Sequence, residues 1–142
     1  MPRQPVRVVA AALARSGAAG PELLIAQRPP GKWRAGCWEF PGGKIEPDET
    51  GEAALVRELR EELGVTARTL IPLGTFAHDY PERSVQILLW LVTAFDGEPA
   101  GLDGQALRWT APAELNDCGL LEADLPMIGP LRQALLAVTL PP

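Results

Sequence analysis

The sequence predicts an α/β (α+β) domain in which a mixed β-sheet is sandwiched between helices. Three observations predict it. A continuous apolar run, Val8 to Ala14, suits a buried β-strand. A strongly amphipathic segment in the middle of the chain carries both start and stop signals for a helix. Strands and helices then mix without a βαβ rhythm, which favours a mixed sheet packed between helices.

The elements follow in order. Val6–Ala14 reads as a strand and the Gly17 to Pro21 stretch as a turn. Leu23–Gln27 reads as a second strand. Residues 28–36 form a loop rich in Pro, Gly and basic residues. Trp38-Glu39-Phe40 is a short strand broken by Pro41-Gly42-Gly43. Asp48 or Thr50 can cap the helix that follows. Leu55, Val56, Leu59 and Leu63 form its apolar stripe, and Gly64 stops it. Leu70–Ala77 and Ser84–Phe95 read as longer strands, with Asp96-Gly97 as a turn. Gln105–Trp109 is a short strand and Ala113–Leu115 a helical turn. Leu125–Val138 closes the chain as a helix, with Asp124 as its cap and Pro126 in its first turn.

Composition narrows the class. The 142 residues suit one domain, 1–142, able to bury a core without staples. Hydrophobic residues at 46% and charged residues at 22% are globular proportions. A net charge of −5 argues against a nucleic-acid polymer as partner. Cys37 and Cys118 read as free thiols. Arg3 and Arg7 precede the first apolar run in the manner of a signal peptide. Arg15 interrupts that run after only seven residues, so a buried strand is the better reading. No stretch reaches the ~18–20 apolar residues of a membrane span. A cytoplasmic protein, monomer or homodimer, is the expectation.

The carboxylates carry the chemistry. Glu58, Glu61 and Glu62 stand at i, i+3 and i+4 and share one helix face beside the apolar stripe. Like charges this close repel, and a hard divalent cation with oxygen ligands is the simplest offset. The alternative is a solvated acidic face.

The surrounding pattern decides between them. Residues 43–65 read G-x5-E-x7-R-E-U-x-E-E-x-G-U, where U is bulky and apolar. The fixed residues are Gly43, Glu49, Arg57, Glu58, Glu61, Glu62 and Gly64. A chance match is on the order of one in 10⁸. The segment resembles the signature box of the Nudix hydrolase family. That resemblance implies a Nudix fold and hydrolysis of a diphosphate linkage. It implies Mg²⁺ or Mn²⁺ held by Glu58, Glu61 and Glu62, with a carbonyl of Gly42 or Gly43 as a further ligand. It implies that Arg57 pairs with Glu49 and fixes the loop on the helix; a surface pair with Glu61 is the alternative. Glu58 is the expected general base and Asp103 the second candidate.

Flanking residues are similar to the MutT-like branch, which hydrolyses 8-oxo-dGTP to the monophosphate and pyrophosphate. The segment Trp38-Glu39-Phe40-Pro41-Gly42-Gly43-Lys44 carries this similarity. The similarity covers most of the chain. It implies substrate contacts from Arg28 and Phe40 and an added metal-site carboxylate in Asp103. Tyr80-Pro81-Glu82-Arg83 resembles a Phe-Pro-Asp-Arg segment, which implies a nucleotide contact from Arg83. Lys32, Arg34 and Lys44 are possible phosphate attractors. His78 is expected to be structural. One departure is Asp124, which stands where the branch has a base-reading asparagine. Asparagine both donates and accepts, whereas an ionised aspartate only accepts. Relatives acting on CTP and modified cytosine nucleotides also resemble the chain, in Ala26-Gln27-Arg28-Pro29 and Ala123-Asp124-Leu125-Pro126. The expected partner is a small nucleotide: 8-oxo-dGTP first, cytosine nucleotides second. A sensing module that binds nucleotides without cleaving them is the alternative from another class, and it would lack box carboxylates.

Overall fold

A computed structural model describes residues 4–142, so Arg3 lies outside the described residues. Seven strands form one mixed sheet with the path β3-β2-β1-β6-β5, and β4 and β7 join on β1 and β2. The strands are β1 (Val6–Gly17), β2 (Gly20–Gln27), β3 (Trp38–Glu39), β4 (Gly42–Lys44), β5 (Thr66–Asp79), β6 (Ser84–Asp96) and β7 (Leu107–Thr110). The α-helices are α1 (Gly51–Leu63) and α2 (Ile128–Leu136). The turns Pro112–Asp117 and Glu122–Met127 are 3₁₀ helices.

β1 is the spine. It runs parallel to β6 from Val6 to Leu13, and the rest of the sheet is antiparallel. Its alternating side chains feed two separate cores. Val9, Ala11 and Leu13 join Leu55, Leu59 and Leu63 of α1. Ala10, Ala12 and Ala14 join Leu115, Met127, Ile128 and Leu131 on the opposite face. The continuous apolar run is therefore a strand covered on both sides.

β1 also divides one edge between two partners. Its end pairs with β2, while Val8–Ala10 pair with β4. A Cβ at Gly42 would lie 1.8 Å from the Val9 carbonyl oxygen, so only glycine lets β4 approach this closely. Local pattern makes Pro41-Gly42-Gly43 a strand break, but in the fold the two glycines begin a second strand.

Thr50 caps α1 by accepting a hydrogen bond from the Ala53 N–H at 3.1 Å. Asp48 does not cap; it sits at φ 64° in the preceding turn. Gly64 ends the helix in the left-handed region and donates to the Arg60 carbonyl. β5 is longer than its apolar core suggested, because β-bulges carry it across irregular positions. β7 falls two residues later than expected at its start.

The closing helix is corrected more substantially. It starts at Ile128 rather than Leu125, and Asp124 is not its cap. Asp124 lies inside the 3₁₀ turn, 4% exposed, and its carboxylate accepts the Phe40 N–H at 3.0 Å. A long-range bond has taken the side chain that local pattern assigned to a cap. Pro126 lacks an N–H and disfavours α geometry in the residue before it, so regular helix begins only after it.

The Thr50→Ala variant loses a helix cap and nothing in the core. A destabilisation of about 1 kcal/mol is expected, read as a lower urea midpoint with unchanged slope.

Candidate active site

The helix face builds the site. Glu58 and Glu62, one turn apart, lie on the side of α1 that meets the sheet and share a hydrogen bond. Both line a cleft of about 760 Å³, together with Arg28, Phe40, Gly43, Arg83, Asp103 and Asp124. Eight expected site residues thus meet in one cavity. Arg57, Glu49 and Glu61 do not line it. Glu61 is 60% exposed and faces Arg57 on the outer side of the helix.

Arg57 braces the loop that precedes α1. Its Nε donates to Glu49 Oε2 at 2.7 Å and its Nη2 to Glu49 Oε1 at 2.9 Å, a bidentate pair. Nη2 also donates to the Lys44 carbonyl at 3.0 Å. Nη1 donates to Glu58 at 2.9 Å and to Glu61 at 3.3 Å. One guanidinium therefore ties β4, the loop and the carboxylate face together, and the i,i+4 pair with Glu61 coexists with this brace. The hydrogen bonds from Arg57 hold the Glu49 carboxyl down at about 2.

β4 presses against the same carboxylates. A Cβ at Gly43 would lie 2.4 Å from Glu58 Cδ. Backbone and carboxylate are in contact there because no side chain separates them.

Asp103 arrives by a different route. The last carbonyls of α1 need donors. The Leu102 N–H bonds to the Glu62 carbonyl, and the Ala100 N–H to the Leu63 carbonyl, both at 3.1 Å. These bonds dock the loop against the helix end and bring Asp103 within electrostatic reach of Glu62. Burial, then the charges of Glu58, Glu39 and Asp103, push Glu62 up to about 8. Burial likewise raises Glu58, against the pull of Arg57.

This donor set fits a hard divalent cation. Glu58, Glu62, Asp103 and the Gly43 carbonyl offer only oxygen, and burial disfavours the charged forms of Glu58 and Glu62, which an added cation would offset. Among the described residues, no group of three acidic, His or Cys side chains is already gathered to hold a metal ion.

The other end of the cleft is a buried polar pocket. Arg28 reaches Glu39 with Nη1 at 3.1 and 3.0 Å, and its Nε donates to the Trp33 carbonyl. Burial raises Glu39 despite that arginine. Asp124, fully enclosed between Phe40, Glu39 and Arg28, is pushed up to about 7 by burial. The Tyr80 hydroxyl accepts the Ala123 N–H at 2.8 Å and pins the turn that carries Asp124. Glu39, Tyr80 and Trp33 were not picked out from the sequence. A carboxylate between Trp38 and Phe40 in a short strand was the available signal for Glu39. Tyr80 stands in the sequence only as the first residue of Tyr80-Pro81-Glu82-Arg83, and nothing local marks Trp33. His78 meets Tyr80 edge-on with centroids 4.5 Å apart, outside the cleft lining.

The fold and cleft define a hydrolase of the type that sets acidic helix residues against polyphosphate. Comparison with known proteins agrees. The NUDIX domain family model matches residues 10–129. The chain is 41% identical over 123 residues to the CTP pyrophosphohydrolase of Escherichia coli K12, covering 87% of this chain and 88% of that one. It is 38% identical over 112 residues to the 8-oxo-dGTP diphosphatase of the same organism, covering 79% and 87%. The solution structure of the E. coli ORF135 protein superposes with a TM-score of 0.79 at 38% identity, covering 94% and 93%. The chain belongs to the Nudix family, and it is a Nudix pyrophosphohydrolase acting on phosphoric anhydride bonds. Family members work with a divalent metal. No helix among the described residues is long and apolar enough to cross a membrane.

Two predictions follow from the geometry. Gly43→Ala should cost about 100-fold in kcat with little change in melting temperature, since it displaces the Glu58 carboxylate by ångströms. Glu49 has a depressed folded pKa, so its contribution is present above the unfolded value of about 4.3 and lost as pH falls through about 2. Urea unfolding of wild type and Glu49→Gln at stepped pH should show a stability gap at pH 6 that closes toward pH 2.

Proposed function

We propose that this protein is a nucleoside triphosphate pyrophosphohydrolase that releases a monophosphate and pyrophosphate. Its metal is Mg²⁺, with Mn²⁺ as a substitute, and its substrate is an oxidised or modified nucleotide, 8-oxo-dGTP first. The observation that carries this reading is the cleft itself. One cavity joins a carboxylate floor on α1 to a buried hydrogen-bonding pocket around Phe40 and Asp124. Its volume suits a small molecule. The names of two relatives, an 8-oxo-dGTP diphosphatase and a CTP pyrophosphohydrolase, support the same class.

Glu58, Glu62, Asp103 and the Gly43 carbonyl would hold the metal. Glu61 would join only by turning away from Arg57. A bound divalent cation supplies neutralisation of the polyphosphate charge and a more acidic water. The chain's own residues do the rest. Glu58, half-shielded and fixed by Arg57, takes the proton of the attacking water, with Asp103 as the second candidate. Lys32 and Lys44 on the cleft wall draw in the phosphates. Phe40 and Asp124 receive the base.

A second reading, cytosine nucleotides, is favoured by Asp124. Its ionised carboxylate accepts from an exocyclic amine such as cytosine N4. Its protonated form donates to an acceptor such as the purine O6. With Asp124 titrating at about 7, both forms exist near neutrality. The ratio of kcat/KM for CTP over 8-oxo-dGTP should therefore rise between pH 6 and 8. In Asp124→Asn that ratio should be flat and shifted toward 8-oxo-dGTP by about tenfold or more.

The main test is pyrophosphate release across 8-oxo-dGTP, dGTP, CTP, 5-methyl-dCTP, dATP and ADP-ribose. EDTA should abolish turnover and added Mg²⁺ restore it. Glu58→Gln should lose at least about 100-fold in kcat. A lead by ADP-ribose sinks the triphosphate reading, and no turnover at all sinks the catalytic one. A cytosine lead replaces 8-oxo-dGTP but keeps the enzyme class.

A further inference from the structure

Around one indole, in the loop after β2, three arginines gather. The loop is closed by its own backbone, with the Gly36 N–H on the Arg28 carbonyl at 2.9 Å and the Ala35 N–H on the Lys32 carbonyl at 3.2 Å. It presents Trp33 to the turn between β5 and β6. There the indole meets Tyr80 edge-on, with centroids 4.7 Å apart and planes at 84°. The guanidinium carbons of Arg28, Arg34 and Arg83 stand 5.6, 5.3 and 4.4 Å from the Trp33 ring.

Two of these cations are committed elsewhere. Arg28 is paired with Glu39, and Arg34 with Glu82 at 3.1 Å. Arg83 makes no ion pair within 4 Å among the described residues, although its charge reaches Glu82, and it lies nearest the ring. Trp33 and Arg83 both line the cleft. A guanidinium held over an aromatic face uses its π surface there and keeps its edge N–H donors for something else. The tie between Tyr80 and Ala123 sets this group beside the turn that carries Asp124.

We propose that Trp33 is a positioning residue whose indole carries the Arg83 guanidinium and so sets how tightly the nucleoside end of the substrate is held. The inference rests on the nucleotide reading above. Without the ring, Arg83 is a long side chain with several free rotamers, and ordering it falls on the binding step. Trp33 acts here through Arg83 and not through Glu58, so KM changes and kcat does not follow it. The indole N–H has no partner among the described residues, so Trp33→Phe removes no hydrogen bond and keeps an aromatic face.

The test is a double-mutant cycle in the full chain, using whichever panel triphosphate the wild type turns over best. Trp33→Leu should raise KM about tenfold with kcat within about threefold, and Trp33→Phe should recover most of the loss. In an Arg83→Ala background, adding Trp33→Leu should change KM by less than about twofold. Independent multiplication of the two effects, or a fall of kcat in step with the rise of KM, overturns the proposal. A second measurement needs no substrate. The Arg83 Nε–H NMR signal should be shifted upfield by the ring, lose that shift in Trp33→Leu and keep most of it in Trp33→Phe. If that shift is absent from wild type, the stack itself is refuted. If it is present but no nucleotide is bound or turned over, the nucleotide reading has failed instead.

Discussion

Arg57 holds together a set of charges that would otherwise separate. Glu49, Glu58 and Glu61 all bond to it, and so does the Lys44 carbonyl. Carboxylates at this spacing repel by tenths of a kcal/mol each on an open helix, and by more where the site is shielded. A delocalised, always-charged fork can serve several acceptors at once in fixed directions, which a lysine ammonium does less well. The brace does two structural jobs. It closes the loop between β4 and α1, and it fixes Glu58 against the Gly43 backbone. The placement of Glu58 against the β4 backbone depends on those two results.

The sheet supplies the rest of the architecture. Because β1 gives part of its edge to β4 and part to β2, the two strands part and the cleft opens between them. Its floor is α1 and its far wall is the 3₁₀ turn carrying Asp124. That wall is tied across the cavity by the Asp124–Phe40 bond, which sets the Asp124 pocket in register with the box. The loop with Asp103 is docked by unsatisfied helix carbonyls, so a general need of helix ends becomes a means of adding a carboxylate to the site.

Charge is distributed to match a polyanion that arrives with cations. The molecule is acidic overall, yet Lys32, Lys44, Arg28 and Arg83 line the cavity. The cleft also holds Glu39, Glu58, Glu62, Asp103 and Asp124, and Glu62 and Asp124 are pushed toward neutrality mainly by burial, with neighbouring carboxylates adding to it. A site with raised carboxylates at both ends gains charge stabilisation from an added divalent ion at one end and a hydrogen-bond donor at the other.

The sequence by itself determined the long elements and the box. β1, β6 and α1 are legible because hydrophobic period and capping residues are local properties. The carboxylates of α1 are legible because helical spacing alone puts them on one side. Tertiary structure decided everything that depends on residues far apart in the chain. It turned Gly42–Lys44 into a strand, since the driving contact is the Val9 backbone. It took Asp124 from a helix cap to a pocket wall, because one buried bond to Phe40 outweighs a local preference. It separated Glu58 and Glu62 from Glu61, since the shared side of the helix is wider than the part the sheet covers. It also gathered Glu39, Tyr80 and Trp33 in the cleft that holds Asp124. Their partners lie across loops whose path no local pattern encodes.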